Sequence, residues 1–246
     1  IPPLAIKGPA LSIRKFGRKV LTDANLLAFG AMSPQMTAFM RICVEQRKNI
    51  LISGGTGSGK TTLLNVLSNF IPDGERIITI EDAAELQLQQ PHVVRLETRP
   101  PNIEGRGEVS QRALVRNALR MRPDRIVVGE VRGAEALDLI KVWGTGHPGG
   151  IATIHAGSAL GALLRLEQLI LEVAVNPPRA LIAEAVNVVI HIAGRGRKRR
   201  IESIARVVGF DGVGYQLADA LEAPFPELLP QSDLSSPSPD HSGELP

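Results

Sequence analysis

The sequence predicts an α/β fold with a mainly parallel sheet, helices on both faces and a C-terminal antiparallel meander. In the middle of the chain, short β-branched and aliphatic runs alternate with segments of helical periodicity, which is typical of βαβ units. After residue 186, apolar runs follow one another with only a short basic turn between them. That change of spacing predicts antiparallel strands at the end of the sheet.

Each element is predicted from its local pattern. Buried strands are expected at residues 49–53, 76–80, 125–129 and 150–154, each a short apolar run. Apolar residues at helical spacing predict helices over 60–70, 110–120, 134–143 and 158–173. Ser33 as N-cap and Pro34 at the first helical position predict a helix to about Lys48. The meander is expected at 186–193, 201–208 and 214–217, with a turn at 194–200.

Composition excludes several classes of protein. The chain has 246 residues, of which 43% are hydrophobic and 22% charged, as in ordinary soluble globular proteins. Its single cysteine, Cys43, cannot form an internal disulfide. No apolar run approaches the ~18–20 residues of a membrane span. Aromatic residues make up 3%, which disfavours stacking on nucleic-acid bases.

Charge is distributed unevenly along the chain. The formal net charge is +3, yet residues 221–246 hold five acidic residues and no lysine or arginine, so residues 1–220 carry +8. The Pro- and Ser-rich segment 221–246 is expected to be a disordered acidic tail. The positive remainder suits an anionic partner such as a nucleotide, lipid headgroups or nucleic acid, or is simply a mildly basic surface.

A glycine-rich stretch between the first predicted strand and the next helix matches the pattern G-x-x-x-x-G-K-[ST]. It predicts a P-loop that binds nucleotide phosphates. Its backbone N–H groups would face the phosphates, Lys60 would reach the β- and γ-phosphates, and the Thr61 hydroxyl would ligate Mg²⁺. The candidate binding residues are Gly54, Gly55, Thr56, Gly57, Ser58, Gly59, Lys60, Thr61 and Thr62.

Acidic residues follow two of the predicted strands. Glu130 ends the strand at 125–129, at the edge where open α/β sheets bind ligands, and could activate or position a water molecule. Gly129 stands where an Asp is common. Glu81, Asp82 and Glu85 follow the strand at 76–80 and could support the Mg²⁺ site. An ordinary strand-end Glu and a solvated acidic turn are the alternatives.

Two histidines flank the strand at 150–154. His155 follows it on the nucleotide side and could donate a hydrogen bond to a γ-phosphate, whereas His147 precedes it by about one strand length. A structural role is the alternative for each. Arg112, Arg116 and Arg120 share one helical face and either form a solvated basic face or neutralise phosphate across a subunit boundary. The basic cluster at 195–200 is either a solvated hairpin tip or a lipid or nucleic-acid contact.

Together, these stretches resemble the secretion ATPase superfamily, the hexameric motors of type II and type IV secretion, type IV pili and conjugation. In that family, residues 54–62, 80–82, 122–132, and 145–147 with 152–156 correspond to the Walker A loop, the Asp box, an atypical Walker B and the His box. The resemblance covers about residues 4–217. Within it, 143–150, 165–169 and 179–184 look like conjugal-transfer, Trb-type ATPases. Residues 96–105 and 30–70 look like tight-adherence (Flp-type) pilus motors, which remain the alternative.

The resemblance implies a RecA-like ATPase that uses ATP and Mg²⁺. The catalytic residues would be Glu130, Lys60, His155 and His147, and the metal-site residues Thr61, Glu81, Asp82 and Glu85. It further implies a cytoplasmic homo-hexamer at the inner membrane that works with secretion or pilus proteins. Residues 1–20 would be the remnant of an N-terminal domain or its linker, and 21–220 the motor domain.

Two other functions are compatible with a nucleotide-binding loop. A nucleotide-dependent assembly switch would bind ATP without hydrolysing it. A helicase-like motor would act on nucleic acid, but the scarcity of aromatic residues and the absence of a helicase motif disfavour it.

Overall fold

The computed structural model describes Gly8 and residues 20–222. Apart from Gly8, Val20, Leu221 and Glu222, the two terminal segments at 1–20 and 221–246 lie outside the described residues. Their assignment as a domain remnant and an acidic tail stays a prediction.

Among the described residues, eight strands form one sheet. They are β1 Ile50–Ser53, β2 Ile77–Glu81, β3 Val93–Glu97, β4 Arg125–Val131, β5 Ile151–Ile154, β6 Val188–Ala193, β7 Arg200–Phe210 and β8 Tyr215–Asp219. Their spatial order is β3-β2-β4-β5-β1-β6-β7-β8. The strands from β3 to β6 in this order are parallel, and β6–β7 and β7–β8 pair antiparallel. The predicted fold class is confirmed.

Seven α-helices accompany the sheet within residues 20–222. They are α1 Asp23–Ala28, α2 Pro34–Glu45, α3 Lys60–Ser68, α4 Gln111–Ala118, α5 Glu135–Gly144, α6 Ala159–Ile170 and α7 Arg179–Ala185, with short 3-10 helices at Leu119–Met121 and Gly196–Lys198. The Ser33 and Ser110 hydroxyls accept hydrogen bonds from the first turns of α2 and α4, as N-caps do. The longest of these helices have 12 residues, too few to cross a bilayer.

The core lies on both faces of the sheet. On β1, Leu51 packs on the side of α4 to α7, whereas Ile50 and Ile52 pack on the side of α1 to α3. The central strands β1 and β5 are buried along their whole length and mostly apolar, as expected for parallel strands covered on both faces. Because β1, β2, β4, β5 and β6 run in parallel, their carboxyl ends meet at one edge. Ligands bind at this edge in open α/β sheets.

A buried ion pair supports the start of β4. The Arg125 guanidinium is fully buried and binds Glu75 through Nε–Oε2 and Nη2–Oε1 distances of 2.5 and 3.1 Å. Its Nη1 also donates to the carbonyl of Val44 at 2.7 Å. Burial raises the pKa of Glu75, but hydrogen bonds and charge interactions, first with Arg125 and then with Arg47, outweigh burial and bring that pKa below its ordinary value. This arginine therefore has a structural partner in the interior.

Candidate functional site

The glycine-rich loop joins β1 to α3 at the carboxyl edge of the sheet. Gly57 and Gly59 have φ of 73° and 106°, a left-handed conformation that glycine adopts without strain. A Cβ on Gly54 would lie 2.4 Å from the carbonyl oxygen of Ile192 on β6, so the loop starts in direct contact with the neighbouring strand. The N-terminus of α3 has no side-chain cap. Its first N–H groups can therefore bind an anion.

Lys60 opens α3 and bends back over the loop. Its Nζ donates hydrogen bonds to the carbonyl oxygens of Gly54 and Gly55 at 3.0 and 3.1 Å. The residue is 7% exposed and therefore depends on these partners, because a buried ammonium group is costly unless paired. The same ammonium lies 3.7 Å from Oε1 of Glu130. Lysine and acid thus meet at one end of the loop.

Glu130 is placed by an irregularity in β4. The β4–β5 register shifts between Val128 and Val131, and such bulges redirect side chains at functional sites. Oε1 of Glu130 lies 2.8 Å from Nε2 of His155, and Oε2 accepts a hydrogen bond from Nε of Arg132. Three nitrogen groups therefore surround this carboxylate.

The position before Glu130 favours glycine for a steric reason. A Cβ on Gly129 would lie 3.2 Å from Cγ of Glu81, closer than most such contacts. The Gly129 carbonyl accepts a hydrogen bond from the Thr153 hydroxyl at 2.7 Å. Glycine therefore stands at position 129, where an Asp is common, at a point where β4 packs closely against β2.

His155 follows β5 and turns into the same space as Lys60. Burial lowers the pKa of His155; the Glu130 carboxylate opposes this shift, while the charges of Lys60 and Arg132 add to it. The net shift is downward, so the imidazole is neutral at pH 7. A neutral ring can donate one hydrogen bond and accept another.

The acidic residues at and after the end of β2 have two different sets of contacts. Glu81 is 4% exposed, and its Oε2 accepts hydrogen bonds from the backbone of Glu85 and Leu86, both at 2.8 Å. Burial raises the pKa of Glu81, and these two bonds only partly offset it. Asp82 accepts a hydrogen bond from Nη1 of Arg132 at 2.8 Å. Glu81 thus shapes the turn, and Asp82 orients the arginine beside Glu130.

These groups line one cavity of about 570 Å³. Of the predicted site residues, it contains Thr56, Gly57, residues 59–62, Glu81, Asp82, Glu85, Glu130 and His155. Gly54 and Gly55 contribute the carbonyls that hold Lys60, and Ser58 is buried in the loop. Within residues 20–222, no cluster of three or more His, Cys, Asp or Glu side chains could hold a metal ion. A cation here would depend on Thr61 and on oxygens of the bound nucleotide.

The structure does not bring His147 into this cavity. His147 precedes β5, which spans Ile151–Ile154, whereas His155 follows it. The two rings therefore belong to opposite edges of the sheet. His155 thus lines the cavity that contains Lys60, and His147 does not.

Two of the three arginines predicted on one helical face have partners in the same chain. Nε of Arg112 and Nε of Arg116 bind the two oxygens of Asp138 on α5, at 2.6 and 2.8 Å. Burial raises the pKa of Asp138, but these bonds outweigh it and lower that pKa overall. The pair joins α4 to α5.

Two arginines at the cavity were not assigned a role from the sequence. Arg132 bridges Glu130 and Asp82, and Nε of Arg199, from the basic hairpin tip, donates to the carbonyl of Gly57 at 2.9 Å. Arg132 lies two residues after Glu130, within the same motif at 122–132, and this proximity was a usable signal. No local pattern distinguishes Arg199 from its basic neighbours. Its position depends on strand pairing.

Residues 2–201 match the family model described as type II/IV secretion system protein. The conjugal transfer protein TrbB of Rhizobium radiobacter is 39% identical over 220 residues, which are 88% of this chain and 65% of that protein. The type IV secretion system protein PtlH of Bordetella pertussis is 44% identical over 178 residues, covering 68% of this chain and 52% of that protein.

A solved structure agrees with these matches. The VirB11 ATPase from the Brucella suis type IV secretion system, crystallised in complex with sulphate, superimposes with a TM-score of 0.58 and 34% identity. The match covers 82% of this chain and 56% of that one. The chain spans about half to two thirds of the length of these relatives.

Proposed function

Because the chain belongs to the type II/IV secretion system protein family, as a Trb-type secretion ATPase, we propose that it hydrolyses ATP to drive a conjugative transfer or type IV secretion machine. One observation carries the proposal. Lys60, Glu130 and His155 converge at one end of the loop at distances of 2.8–3.7 Å. A cation, a candidate base and a neutral imidazole thus face a cavity that opens beside an uncapped helix N-terminus.

The loop and α3 would hold the phosphates. Lys60 would exchange its contacts with the carbonyls of Gly54 and Gly55 for phosphate oxygens, since charge-assisted hydrogen bonds are the stronger ones. The uncapped N–H groups of α3 supply further donors and the positive end of the helix dipole. Loop and helix would thus neutralise the triphosphate.

The residues present fit a magnesium ion that is shared with the nucleotide. Thr61 would supply its hydroxyl, with Asp82 and Glu85 in the same cavity, and Mg²⁺ is commonly held in this way by few protein ligands plus phosphate and water. When bound, the ion supplies charge neutralisation at the phosphates. Glu81, committed to the turn, would support this arrangement by fixing the backbone at Glu85.

Glu130 would position the attacking water molecule or accept its proton. In the structure its carboxylate is held by Arg132 and His155. Entry of a γ-phosphate would draw Lys60 and His155 toward phosphate oxygens and free Oε1 of Glu130 for water. The neutral ring of His155 can donate to phosphate without adding a proton to Glu130.

A phosphate-release assay tests hydrolysis. Lys60→Ala should abolish turnover while leaving the fold intact, and Lys141→Ala, exposed on α5, serves as the matched control. Unchanged turnover in Lys60→Ala would reject the role of this lysine. Nucleotide binding without turnover in the wild type would favour the alternative function, a nucleotide-dependent assembly switch.

We further propose a homo-hexameric assembly at the inner membrane, with secretion-machine proteins as partners. The support is family membership and the similarity to TrbB, PtlH and VirB11. These relatives favour conjugative transfer and type IV secretion over the tight-adherence pilus alternative. Gel filtration with and without an ATP analogue tests the ring. A monomer under both conditions would argue against it for this chain.

A further inference from the structure

The tip of the β6–β7 hairpin, residues 194–199, folds toward the phosphate loop. Gly194 has φ +87°, and a Cβ there would lie 2.1 Å from the carbonyl oxygen of Lys198, so the tip closes tightly on itself. In the strand pairing, His191 opposes Ser203 and Ile192 opposes Ile201. Glu202 is therefore an extra residue on β7, and bulges of this kind bend the bulged strand.

This bend brings one basic side chain to the loop. Nε of Arg199 donates to the carbonyl of Gly57 at 2.9 Å, and its Cδ lies 3.6 Å from where a Cβ on Gly59 would be. Arg199 lines the same cavity as Lys60 and Thr61. Its basic neighbours on the tip do not line that cavity.

The sheet order defines the side from which Arg199 approaches. β1, which leads into the loop, lies between β5 and β6. Glu130 and His155 come from β4 and β5 on one side, whereas Arg199 comes from the β6–β7 turn on the other. The loop therefore lies between Glu130 and His155 on one side and the guanidinium of Arg199 on the other.

The remaining donors of Arg199 are suited to phosphate. A guanidinium carries five N–H donors in a planar fork, and only Nε is used by Gly57. Within residues 20–222 its two Nη groups have no hydrogen-bond partner. A planar fork at the rim of an anion-binding loop matches the geometry of phosphate oxygens.

The geometry points to Arg199 as a nucleotide-binding residue that contacts the α- and β-phosphates held by its own chain's loop. This inference rests on the proposed function, because it assumes that the loop binds a nucleotide. Located opposite Glu130, Arg199 serves retention of the nucleotide and not the bond-breaking step. It therefore binds ADP as well as ATP.

Calorimetric titration of ADP and of a nonhydrolysable ATP analogue tests the inference, with Arg199→Ala, Arg199→Lys and the matched control Arg197→Ala. We expect the dissociation constants for both nucleotides to rise about tenfold in Arg199→Ala, with partial recovery in Arg199→Lys and no change in Arg197→Ala. In turnover assays KM should rise by a similar factor, while kcat stays within about twofold.

Three results would overturn the inference. An unchanged ADP affinity in Arg199→Ala would leave Arg199 with only its backbone contact. Weaker binding of the ATP analogue alone would assign it to the γ-phosphate. A lower unfolding temperature without nucleotide, together with no recovery in Arg199→Lys, would show that it only shapes the loop. If the wild type binds neither nucleotide, the proposed function itself fails, which is a distinguishable outcome.

Discussion

Oε1 of Glu130 lies 2.8 Å from Nε2 of His155, and the same oxygen lies 3.7 Å from Nζ of Lys60. One carboxylate oxygen is thus shared by a neutral ring and an ammonium group. These contacts fix the position of the Glu130 carboxylate, which would bind a water molecule if Lys60 and His155 moved to a phosphate. The loop, the β4 bulge and the end of β5 are all needed to form it.

We expect Glu130→Gln to bind ATP but to hydrolyse it about 10²- to 10⁴-fold more slowly, because the amide keeps the shape of the side chain and cannot accept a proton. Phosphate release and nucleotide titration measure the two effects. Glu104→Gln, on an exposed loop, is the control. Normal turnover by Glu130→Gln would exclude Glu130 as the base.

The downward shift in the pKa of His155 predicts that the rate of hydrolysis falls at acidic pH. Above pH 6.5 the neutral ring predominates; as the pH falls below 6.5 through its lowered pKa, the ring gains a proton and pairs with Glu130. We expect kcat to decline over that interval, and His155→Gln to lack this decline. A profile that is the same in both proteins would contradict the assignment, provided that fluorescence shows both to remain folded.

Removing one partner of the buried ion pair tests its structural role. Glu75→Gln leaves the buried guanidinium of Arg125 without its counter-charge, so we expect a loss of about 3–5 kcal/mol in the free energy of unfolding. Trp143, the single tryptophan and a buried residue, reports unfolding by fluorescence in denaturant. Asp73→Asn, two residues away and exposed, should change stability by less than about 0.5 kcal/mol.

The same pair predicts a pH dependence of stability. Because the pKa of Glu75 is lowered in the folded protein, its contribution is complete above its ordinary pKa of 4.5 and is lost as the pH falls through the folded-state value. We expect the difference in unfolding free energy between wild type and Glu75→Gln to shrink below pH 4.5. A constant difference down to pH 3 would contradict this.

Adjacent glycines at the start of the loop provide a matched comparison. A Cβ on Gly54 would lie 2.6 Å from the Ser58 hydroxyl and even closer to the Ile192 carbonyl, whereas a Cβ on Gly55 has open space. We expect Gly54→Ala to lower the unfolding free energy by about 1–3 kcal/mol, and Gly55→Ala to change it by less than about 0.5 kcal/mol. Equal losses of unfolding free energy in the two variants would mean that the close contact between Gly54 and β6 does not determine which substitution is tolerated.

Local patterns predicted most of the fold. Buried strands such as β1 and β5 are short apolar runs, and α2 and α4 start at recognisable serine caps. β3 was missed because it is a partly exposed edge strand with Arg95 and Glu97 among its five residues, so it lacks the continuous apolar run of a central strand. α7 has seven residues and no side-chain cap, too little for its periodicity to be distinctive.

The site residues that lie at or near the carboxyl ends of central strands could be predicted from the sequence. Lys60 follows the loop after β1, Glu130 lies near the carboxyl end of β4, and His155 directly follows β5. Sequence order was therefore sufficient to group them. His147 has the same residue type but precedes its strand, and the topology takes it away from the cavity. Arg199 was not predictable as a loop contact, because its position depends on which strands pair and in what register.

Because Glu202 is an extra residue in the β6–β7 hairpin, the position of Arg199 is sensitive to the length of this hairpin. Side chains alternate between the two faces of a strand, so deleting Glu202 to restore regular pairing would shift the intervening segment by one position. Arg199 would then turn away from Gly57, and an adjacent basic residue would not take its place in the same geometry. The number of residues in this hairpin, and not only their charge, therefore decides whether Arg199 from the antiparallel end of the sheet reaches the cavity at the glycine-rich loop.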